Sequence, residues 1–312
     1  MGNLIDRWSN LNDWLKAFVI ALIVLAFTHA FILRWVTVRS NSMYATLLEG
    51  DLVGVARWPL WTGFSRGDIA VFRDPIQDDR SMARRQLLVK RIVGLPGDKV
   101  QLRDGRLYVN GKRIATFPKQ THSYMVRLRK GADPSEVLKA LELPPDFMPP
   151  EGNLLELPLN DARAKMLRDR DDVVSAEAMP DARGTPGHIF PYSPNFPWNS
   201  DDYGPITVPK KGDVVRIDVG TIALYDRIIS RYEGNKLENV GNDLLIDGVK
   251  VTDYTINQDY YFVLGDSRHY SEDSRYWGFV PADHLLGRAS FVLLGNDPEG
   301  GVRRDRWCTG LH

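Results

Sequence analysis

The stretch Leu87-Leu88-Val89-Lys90-Arg91-Ile92-Val93-Gly94-Leu95-Pro96-Gly97-Asp98 says most about the fold of this chain. A short apolar run that ends in a turn rich in Gly, Pro and Asp is typical of a buried β-strand. Lys90 interrupts the run, and burial of a lysine among apolar residues disfavours its charged form. The stretch therefore predicts both a core strand and a lysine that can act as a general base.

A candidate nucleophile lies 48 residues earlier, in Ser40-Asn41-Ser42-Met43. A serine hydroxyl is a poor nucleophile until a neighbouring group takes its proton. A neutral Lys90 can do so, and the pair predicts a serine–lysine hydrolase attached to a membrane. His269 is the alternative base, because it is the one histidine inside a motif described below.

Short apolar or alternating runs bounded by Gly, Pro and Asp recur along the chain. Asn110-Gly111 and Asp247-Gly248 are typical two-residue hairpin turns. The pattern predicts a mainly β fold, an antiparallel Greek-key or barrel-like catalytic domain with few helices. Besides 87–93, the predicted strands are 51–55, 69–72, 100–109, 214–228, 249–255 and 260–265.

The N-terminal part carries the membrane signal. Ala17 to Leu33 are seventeen residues without a formal charge, and as a helix they reach about 25 Å. We predict an uncleaved transmembrane anchor over 15–36, after a cytoplasmic N-terminus over 1–14. A cleaved signal peptide is the alternative, because Thr28-His29-Ala30 resembles a small-x-small cleavage site.

The rest of the chain divides by composition. Residues 37–113 and 212–312 predict the two parts of a catalytic β core, and 114–211 predict an inserted subdomain of helical and irregular structure. The aromatic stretch Trp58 to Phe64 predicts either a loop in the lipid interface or a cap on the core.

Composition excludes several function classes. The 312 residues hold 40 basic and 40 acidic side chains, and this balance predicts no nucleic-acid partner. Cys308 is the single cysteine, so an internal disulfide is excluded. The sequence has no CxxC, no HExxH and no His/Cys cluster, so we expect no metal and no other cofactor.

Three blocks together resemble type I signal peptidases, the bacterial leader peptidases. The blocks are 40–47, 90–98 and 265–278, and they follow an apolar N-terminal segment in the family's order. The family patterns are approximately Ser-x-Ser-Met-x-Pro-Thr-Leu, Lys-Arg-x-x-Gly-x-Pro-Gly-Asp and Gly-Asp-Asn-x-x-x-Ser-x-Asp-Ser-Arg-x-Trp-Gly. The resemblance covers roughly 15–112 and 205–292, and it leaves out the central insertion.

The resemblance implies a role for each matching residue. Ser42 matches the nucleophile, Lys90 the general base, and Ser40 the hydroxyl that joins the Ser42 N–H in an oxyanion hole. The other matches are Ser271 as the serine that orients the lysine amine, Asp273 and Arg275 as a supporting ion pair, Asp266 facing Arg91, and Met43 and Val89 as lining of the substrate pocket. Ala45 replaces the usual proline of the family, and three further positions replace its commoner Asn, Asp and Asn: Ser267, His269 and Tyr270.

The resemblance also implies the setting. The substrates would be exported precursors that carry signal peptides, bound as extended segments with small residues at the first and third positions before the cut. The enzyme would contact membrane lipid, face outward from the bacterial membrane and lie near the translocation channel. A dedicated peptidase of the pilin-processing type, a non-catalytic peptide-binding β module and a self-cleaving repressor-type protease are the alternatives.

Overall fold

A computed structural model describes residues 12–144, 147, 152–179, 188–241, 243–297 and 300–311. Every strand ladder within these residues is antiparallel, which confirms the prediction of a mainly antiparallel β fold. The strands are β1 (Leu33–Thr37), β2 (Leu52–Ala56), β3 (Ile69–Arg73), β4 (Leu87–Gly94), β5 (Lys99–Arg103), β6 (Arg106–Val109), β7 (Lys112–Arg113), β8 (His122–Leu128), β9 (Leu154–Leu159), β10 (Val173–Ala178), β11 (Tyr203–Thr207), β12 (Val214–Arg216), β13 (Leu237–Val240), β14 (Asp243–Ile246), β15 (Val249–Val251), β16 (Asp253–Thr255), β17 (Tyr260–Leu264), β18 (Val280–Pro281), β19 (Leu285–Leu294) and β20 (Thr309–Gly310).

The largest sheet contains the predicted core strand. Its order is β1-β2-β19-β3-β4-β17-β18, with β20 paired to β19 as the eighth strand. β4 lies between β3 and β17, and its residues from Lys90 to Gly94 are buried. Because β1 and β18 stand at opposite edges of this order, the described strands do not show the barrel-like closure that the sequence predicted.

Four smaller sheets complete the fold, with the orders β10-β8-β9, β11-β5-β6-β7, β12-β16 and β13-β14-β15. Both predicted hairpin turns are confirmed. Asn110 and Gly111 have φ of 52° and 78° between β6 and β7. Asp247 and Gly248 have φ of 51° and 80° between β14 and β15. Two successive positive φ angles match the twist of antiparallel strands, and Asn, Asp and Gly tolerate them.

The predicted strand over 214–228 is wrong beyond Arg216. The Asp218 carboxylate accepts hydrogen bonds from the N–H groups of Gly220 and Thr221, at 2.9 and 3.0 Å. This local turn competes with strand pairing, so the chain leaves the sheet there. It continues as a 3₁₀ turn and then as a π-helical turn over Ile228–Tyr232.

Helices are few and mostly short. They are α1 (Asp13–Phe27), α2 (Pro59–Thr62), α3 (Pro134–Ala140), α4 (Asp161–Arg168) and α5 (Ser274–Trp277). Short 3₁₀ turns cover Asn41–Met43, Met82–Arg84, Ile222–Leu224, Ala282–His284 and Arg304–Arg306, and a second π-helical turn covers Thr28–Ile32. The N-cap of α3 is Asp133, whose carboxylate accepts the Ser135 N–H at 2.9 Å.

The N-terminal helix ends before the sequence predicted. α1 has 15 residues, and after the π-helical turn the chain becomes β1 at Leu33. The transmembrane prediction over 15–36 is therefore wrong for 33–36, because these residues pair with β2 as sheet. Over the described part of the chain, no helix is both long and apolar enough to cross a membrane.

The predicted insertion contains a hydrophobic core of its own. Side chains from β8, β9, β10, α3 and α4 form a buried cluster, and the chain outside 124–176 adds only Tyr44, Ala45 and Leu48 to its buried members among the described residues. β11 lies inside the predicted bounds 114–211, but it pairs with β5 of the first core part. The division of the chain into these domains stays a prediction.

Candidate active site

Ser42 lies in a tight turn that carries it to the inner side of the main sheet. The 3₁₀ turn Asn41–Met43 follows β1, and the Met43 carbonyl accepts the N–H groups of Thr46 and Leu47, both at 2.8 Å. Met43 and Leu47 are buried in the core beneath the sheet. These apolar contacts fix the turn, and they leave Ser42 only 7% exposed.

Lys90 meets Ser42 from the middle of β4. The distance between Lys90 Nζ and Ser42 Oγ is 2.6 Å, and Lys90 is 4% exposed. As an ammonium group Lys90 donates to Ser42 Oγ, and as a neutral amine it can accept the hydroxyl proton over the same distance. The structure therefore brings together the two residues that the sequence paired.

Burial lowers the pKa of Lys90 to about 8, although the nearby carboxylates of Asp273 and Glu272 favour the charged form. At pH 7.4 a pKa of about 8 leaves roughly a fifth of the amine neutral, against about a thousandth at the ordinary value. The apolar neighbours in β4 thus supply the condition that a lysine base requires.

Ser40 stands beside the nucleophile. Its Oγ lies 3.2 Å from Ser42 Oγ, and its backbone is extended where β1 runs into the 3₁₀ turn. A hydroxyl at this place can turn its proton towards an oxygen that develops charge next to Ser42. The role of Ser40 in an oxyanion hole stays a prediction.

Ser271 lies near the reactive pair, and its role in orienting the Lys90 amine stays a prediction. Its hydroxyl is buried and has no hydrogen-bond partner among the described residues. It packs on Gly265, where an added Cβ would lie 2.2 Å from Ser271 Oγ and 2.5 Å from the Ser42 carbonyl oxygen. Only glycine therefore fits at 265, between Ser271 and the Ser42 carbonyl.

The Asp273–Arg275 ion pair is present and fully buried. Arg275 Nε and Nη2 donate to the two carboxylate oxygens of Asp273, each at 2.9 Å. Asp273 Oδ2 also accepts the Gly265 N–H at 3.0 Å. Burial raises the pKa of Asp273, but the Arg275 charge and these hydrogen bonds outweigh it and lower the pKa. Asp273 is therefore charged, and its ion pair with Arg275 holds the loop beside Gly265.

Arg91 and Asp266 form a second buried pair that reaches the nucleophile turn. Arg91 Nε and Nη2 donate to the Asp266 carboxylate at 2.8 and 2.7 Å. Thr46 Oγ1 donates to the same carboxylate at 2.5 Å. This contact ties β4 to the chain that follows Ser42. The sequence analysis did not assign a role to Thr46, although it stands inside the first motif.

A groove of about 380 Å³ is lined by residues that neighbour Ser42 and Lys90 in the chain. Met43 and Val89, the residues predicted to line the substrate pocket, both line it, together with Ser40. A cavity of about 550 Å³ lies elsewhere, next to His122 and Arg268. We take the smaller groove as the candidate substrate site, because its lining adjoins both Ser42 and Lys90.

His269 is not positioned to act as the general base for Ser42. Its Nδ1 accepts the Ser123 N–H at 3.0 Å, and its Nε2 lies 3.0 Å from the Asp201 carboxylate. Both ring nitrogens are thus engaged outside the Ser42–Lys90 contact. In the described ranges, no group of three or more His, Cys, Asp or Glu side chains is arranged to hold a metal ion.

The fold and the site together define a class of protein, β-sheet hydrolases in which a serine hydroxyl meets a buried lysine. A family model described as "Signal peptidase, peptidase S26" matches residues 11–202 and 204–294. The chain belongs to this signal peptidase family, and it is a serine peptidase.

Individual relatives agree with the family. A signal peptidase I of Bacillus licheniformis is 31% identical over 198 residues, which cover 62% of this chain and 93% of the relative. Signal peptidase IB of Staphylococcus aureus is 30% identical over 175 residues, covering 52% and 84%. A crystal structure of a signal peptidase I from Enterococcus faecalis aligns with 72% of this chain and 96% of its own, at 18% identity and a TM-score of 0.25.

Proposed function

We propose that this protein removes N-terminal signal peptides from exported precursors, with Ser42 as the nucleophile and Lys90 as the general base. The observation that carries the proposal is the 2.6 Å contact between Lys90 Nζ and Ser42 Oγ in a chain of this family. The lowered pKa of Lys90 supports it, because a base must be neutral to accept a proton.

The reaction follows from this contact. Ser42 Oγ attacks the carbonyl carbon of the scissile peptide bond while the neutral Lys90 amine takes its proton. Ser40 Oγ–H and the Ser42 N–H hold the negative oxygen, and one such donor contributes about 3 kcal/mol to transition-state binding. The Lys90 ammonium then protonates the leaving amine as the C–N bond breaks. Water hydrolyses the acyl-enzyme, with Lys90 again accepting the proton.

The buried ion pairs hold these groups in place. Asp273 and Arg275 fix the loop on which Ser271 and Gly265 sit, and Asp266 with Arg91 links β4 to the nucleophile turn. Misplacement of reacting atoms by about 1 Å can cost a hundredfold in rate. We assign the four charged residues to positioning, and Ser271, which stands beside Gly265, to orienting the Lys90 amine.

The groove supports an extended substrate. Among the described strands, β1 lies at an edge of the sheet and pairs only with β2. Leu87 to Val89 in β4 pair with β3, whereas β17 reaches only Arg91 to Gly94 of β4. Backbone groups on both sides of the groove can therefore bind a peptide as an added strand. Small side chains before the cut fit the restricted space beside Met43 and Val89.

We further propose that the N-terminal segment attaches the enzyme to the bacterial membrane, with the catalytic domain on the outer side near the translocation channel. Much of α1 is apolar and exposed, including Phe18, Ile23 and Leu25 at 60%, 62% and 65%. Apolar surface of this extent has no partner in the described chain and gains free energy in lipid.

Mass spectrometry of a secretory precursor with an Ala-x-Ala site tests the function. In detergent we expect the wild type to cut once, after the second alanine, and Ser42→Ala and Lys90→Ala to be inactive but folded. Ser290→Ala and Lys99→Ala are matched controls with full activity. Cleavage by Lys90→Ala would sink the dyad, and a wild type that cuts one precursor among many would favour the dedicated peptidase.

A further inference from the structure

The side chain of Tyr44 leaves the catalytic core and enters the core of the insertion. Tyr44 follows Ser42 by two residues and is completely buried. Its ring packs in the cluster formed by β8, β9, β10, α3 and α4. The nucleophile turn is thus held on one side by its own sheet and on the other by a different hydrophobic core.

Two helices of the insertion converge on the Tyr44 hydroxyl. Tyr44 Oη donates to the carbonyl oxygen of Leu141, the C-cap of α3, at 2.5 Å. Arg163 in α4 donates from Nη1 to Tyr44 Oη and, at 3.1 Å, to the same Leu141 carbonyl. Its guanidinium also lies over the Tyr44 ring, 4.7 Å from the centroid. One carbonyl group and one guanidinium group therefore fix the tyrosine side chain.

The backbone on either side of Met43 is tied down as well. Thr121, just before β8, donates from Oγ1 to the Tyr44 carbonyl at 3.3 Å, and the same oxygen lies 3.2 Å from Ser267 Oγ. The Ser267 N–H donates to the Ser42 carbonyl at 3.1 Å. Thr121 and Ser267 also form a parallel β-bridge. The entrance of the insertion, the support loop and the nucleophile turn thus share one hydrogen-bond network.

We propose that Tyr44 and Arg163 are positioning residues, through which the insertion holds Ser42 in line with Lys90. This inference rests on the proposed Ser42–Lys90 chemistry. Neither side chain touches the reactive atoms. Each affects the rate by fixing the position of the Ser42 hydroxyl. Loss of the Tyr44 hydroxyl frees the turn to move, and small displacements of a nucleophile are costly in rate.

Single-turnover cleavage of the Ala-x-Ala precursor tests the proposal. We expect Tyr44→Phe to lower kcat about tenfold or more while KM stays unchanged. Arg163→Met should lose as much, and Arg163→Lys should recover part, because a lysine can still donate to the tyrosine hydroxyl. Arg168→Met is the matched control: it removes an α4 arginine that donates to the Ala176 carbonyl at 2.9 Å and has no contact with Tyr44.

Two further measurements separate positioning from a general loss of structure. Precursor affinity in the Ser42→Ala background should not change when Tyr44→Phe is added, and the melting temperatures of Tyr44→Phe and Arg168→Met should agree. If Tyr44→Phe keeps the wild-type kcat while Ser42→Ala is inactive, the positioning role is wrong and the Ser42–Lys90 dyad still stands. Activity in Ser42→Ala overturns the dyad and this inference with it.

Discussion

Lys90 determines how the activity of this enzyme depends on pH. Its pKa is lowered by burial to about 8, so the amine becomes neutral as the pH rises through that value. We expect kcat/KM to increase about tenfold per pH unit below pH 8 and to level off above it. Initial rates on a signal-peptide substrate from pH 6 to 10 measure this. A midpoint near 6.5 would point to a histidine base instead.

The stability of Lys90→Met tests the lowered pKa of Lys90 without a substrate. Because the folded pKa is below the unfolded value of 10.5, the unfolded chain binds more protons between pH 8 and 10.5. Stability of the wild type therefore rises with pH in this window. Below pH 8 burial of the ammonium costs about 3 kcal/mol. Lys90→Met should be more stable than wild type at pH 7, and the difference should vanish towards pH 10.5.

Single residues were predictable from sequence where a motif marked them. Ser42 and Lys90 stand in motifs that indicate a nucleophile and a general base. The structure brings the two residues within hydrogen-bond distance. Tyr44 stands at an unspecified position of its motif and Thr121 lies outside the motifs, so the sequence does not single them out. Their contact depends on how the insertion folds back over 77 residues. How Ser271 lies relative to Lys90 could not be predicted from the sequence either, since it depends on side-chain placement at the level of one ångström.

The loop that follows β17 depends on its buried ion pair. Arg275 and Asp273 are 1% and 0% exposed, and loss of one partner leaves a buried charge uncompensated. We expect Arg275→Met to lower the free energy of unfolding by about 3–5 kcal/mol and to abolish activity. Urea unfolding measures the stability change.

An exposed ion pair supplies the comparison. Lys236 and Glu238 are 2.9 Å apart with side chains 72% and 40% exposed. Lys236→Met should change the free energy of unfolding by less than about 0.5 kcal/mol, because water screens the pair. A loss under about 1 kcal/mol in Arg275→Met would show that the buried pair does not hold the loop.

Strands and turns differed in how well the sequence predicted them. The Asn110-Gly111 turn is confirmed because its signal is local: two residues that accept positive φ. Residues 33–36 were predicted as helix, because hydropathy alone does not separate an apolar helix from a strand that pairs with β2. The order of strands around β4 joins distant segments, and no periodicity in the sequence encodes it.

The exposed aromatic residues cluster where the N-terminal segment enters the domain. The Arg57 N–H donates to the Ile32 carbonyl at 2.9 Å, so the short helix α2, with Trp58 at its N-cap and Trp61 inside it, adjoins the end of the N-terminal helical segment. These tryptophans are 43% and 63% exposed. Tryptophan favours the membrane–water interface, and we expect this side of the domain to face the lipid.

Fluorescence quenching by brominated lipids tests this orientation in phosphatidylglycerol vesicles that hold the full chain. Trp61→Phe should remove part of the quenchable emission. Trp307→Phe is the control, because Trp307 is 45% exposed and lies elsewhere on the domain. The N–H of the next residue, Cys308, donates to the Leu293 carbonyl at the far end of β19. Equal quenching losses from the two variants would contradict the proposed orientation.

The ion pairs around the site join parts of the chain that are made at different times. Asp266 pairs with Arg91 across 175 residues, and Arg306 pairs with Asp51 across 255. At about 5–20 residues per second, synthesis from Lys90 to Arg306 takes roughly 10–40 s. Until then the turn that follows Ser42 lacks Arg306, which also donates to the Thr46 carbonyl at 3.1 Å. We therefore expect a growing chain to stay inactive until both Asp266 and Arg306 have been synthesised, so that the order of synthesis delays the onset of activity.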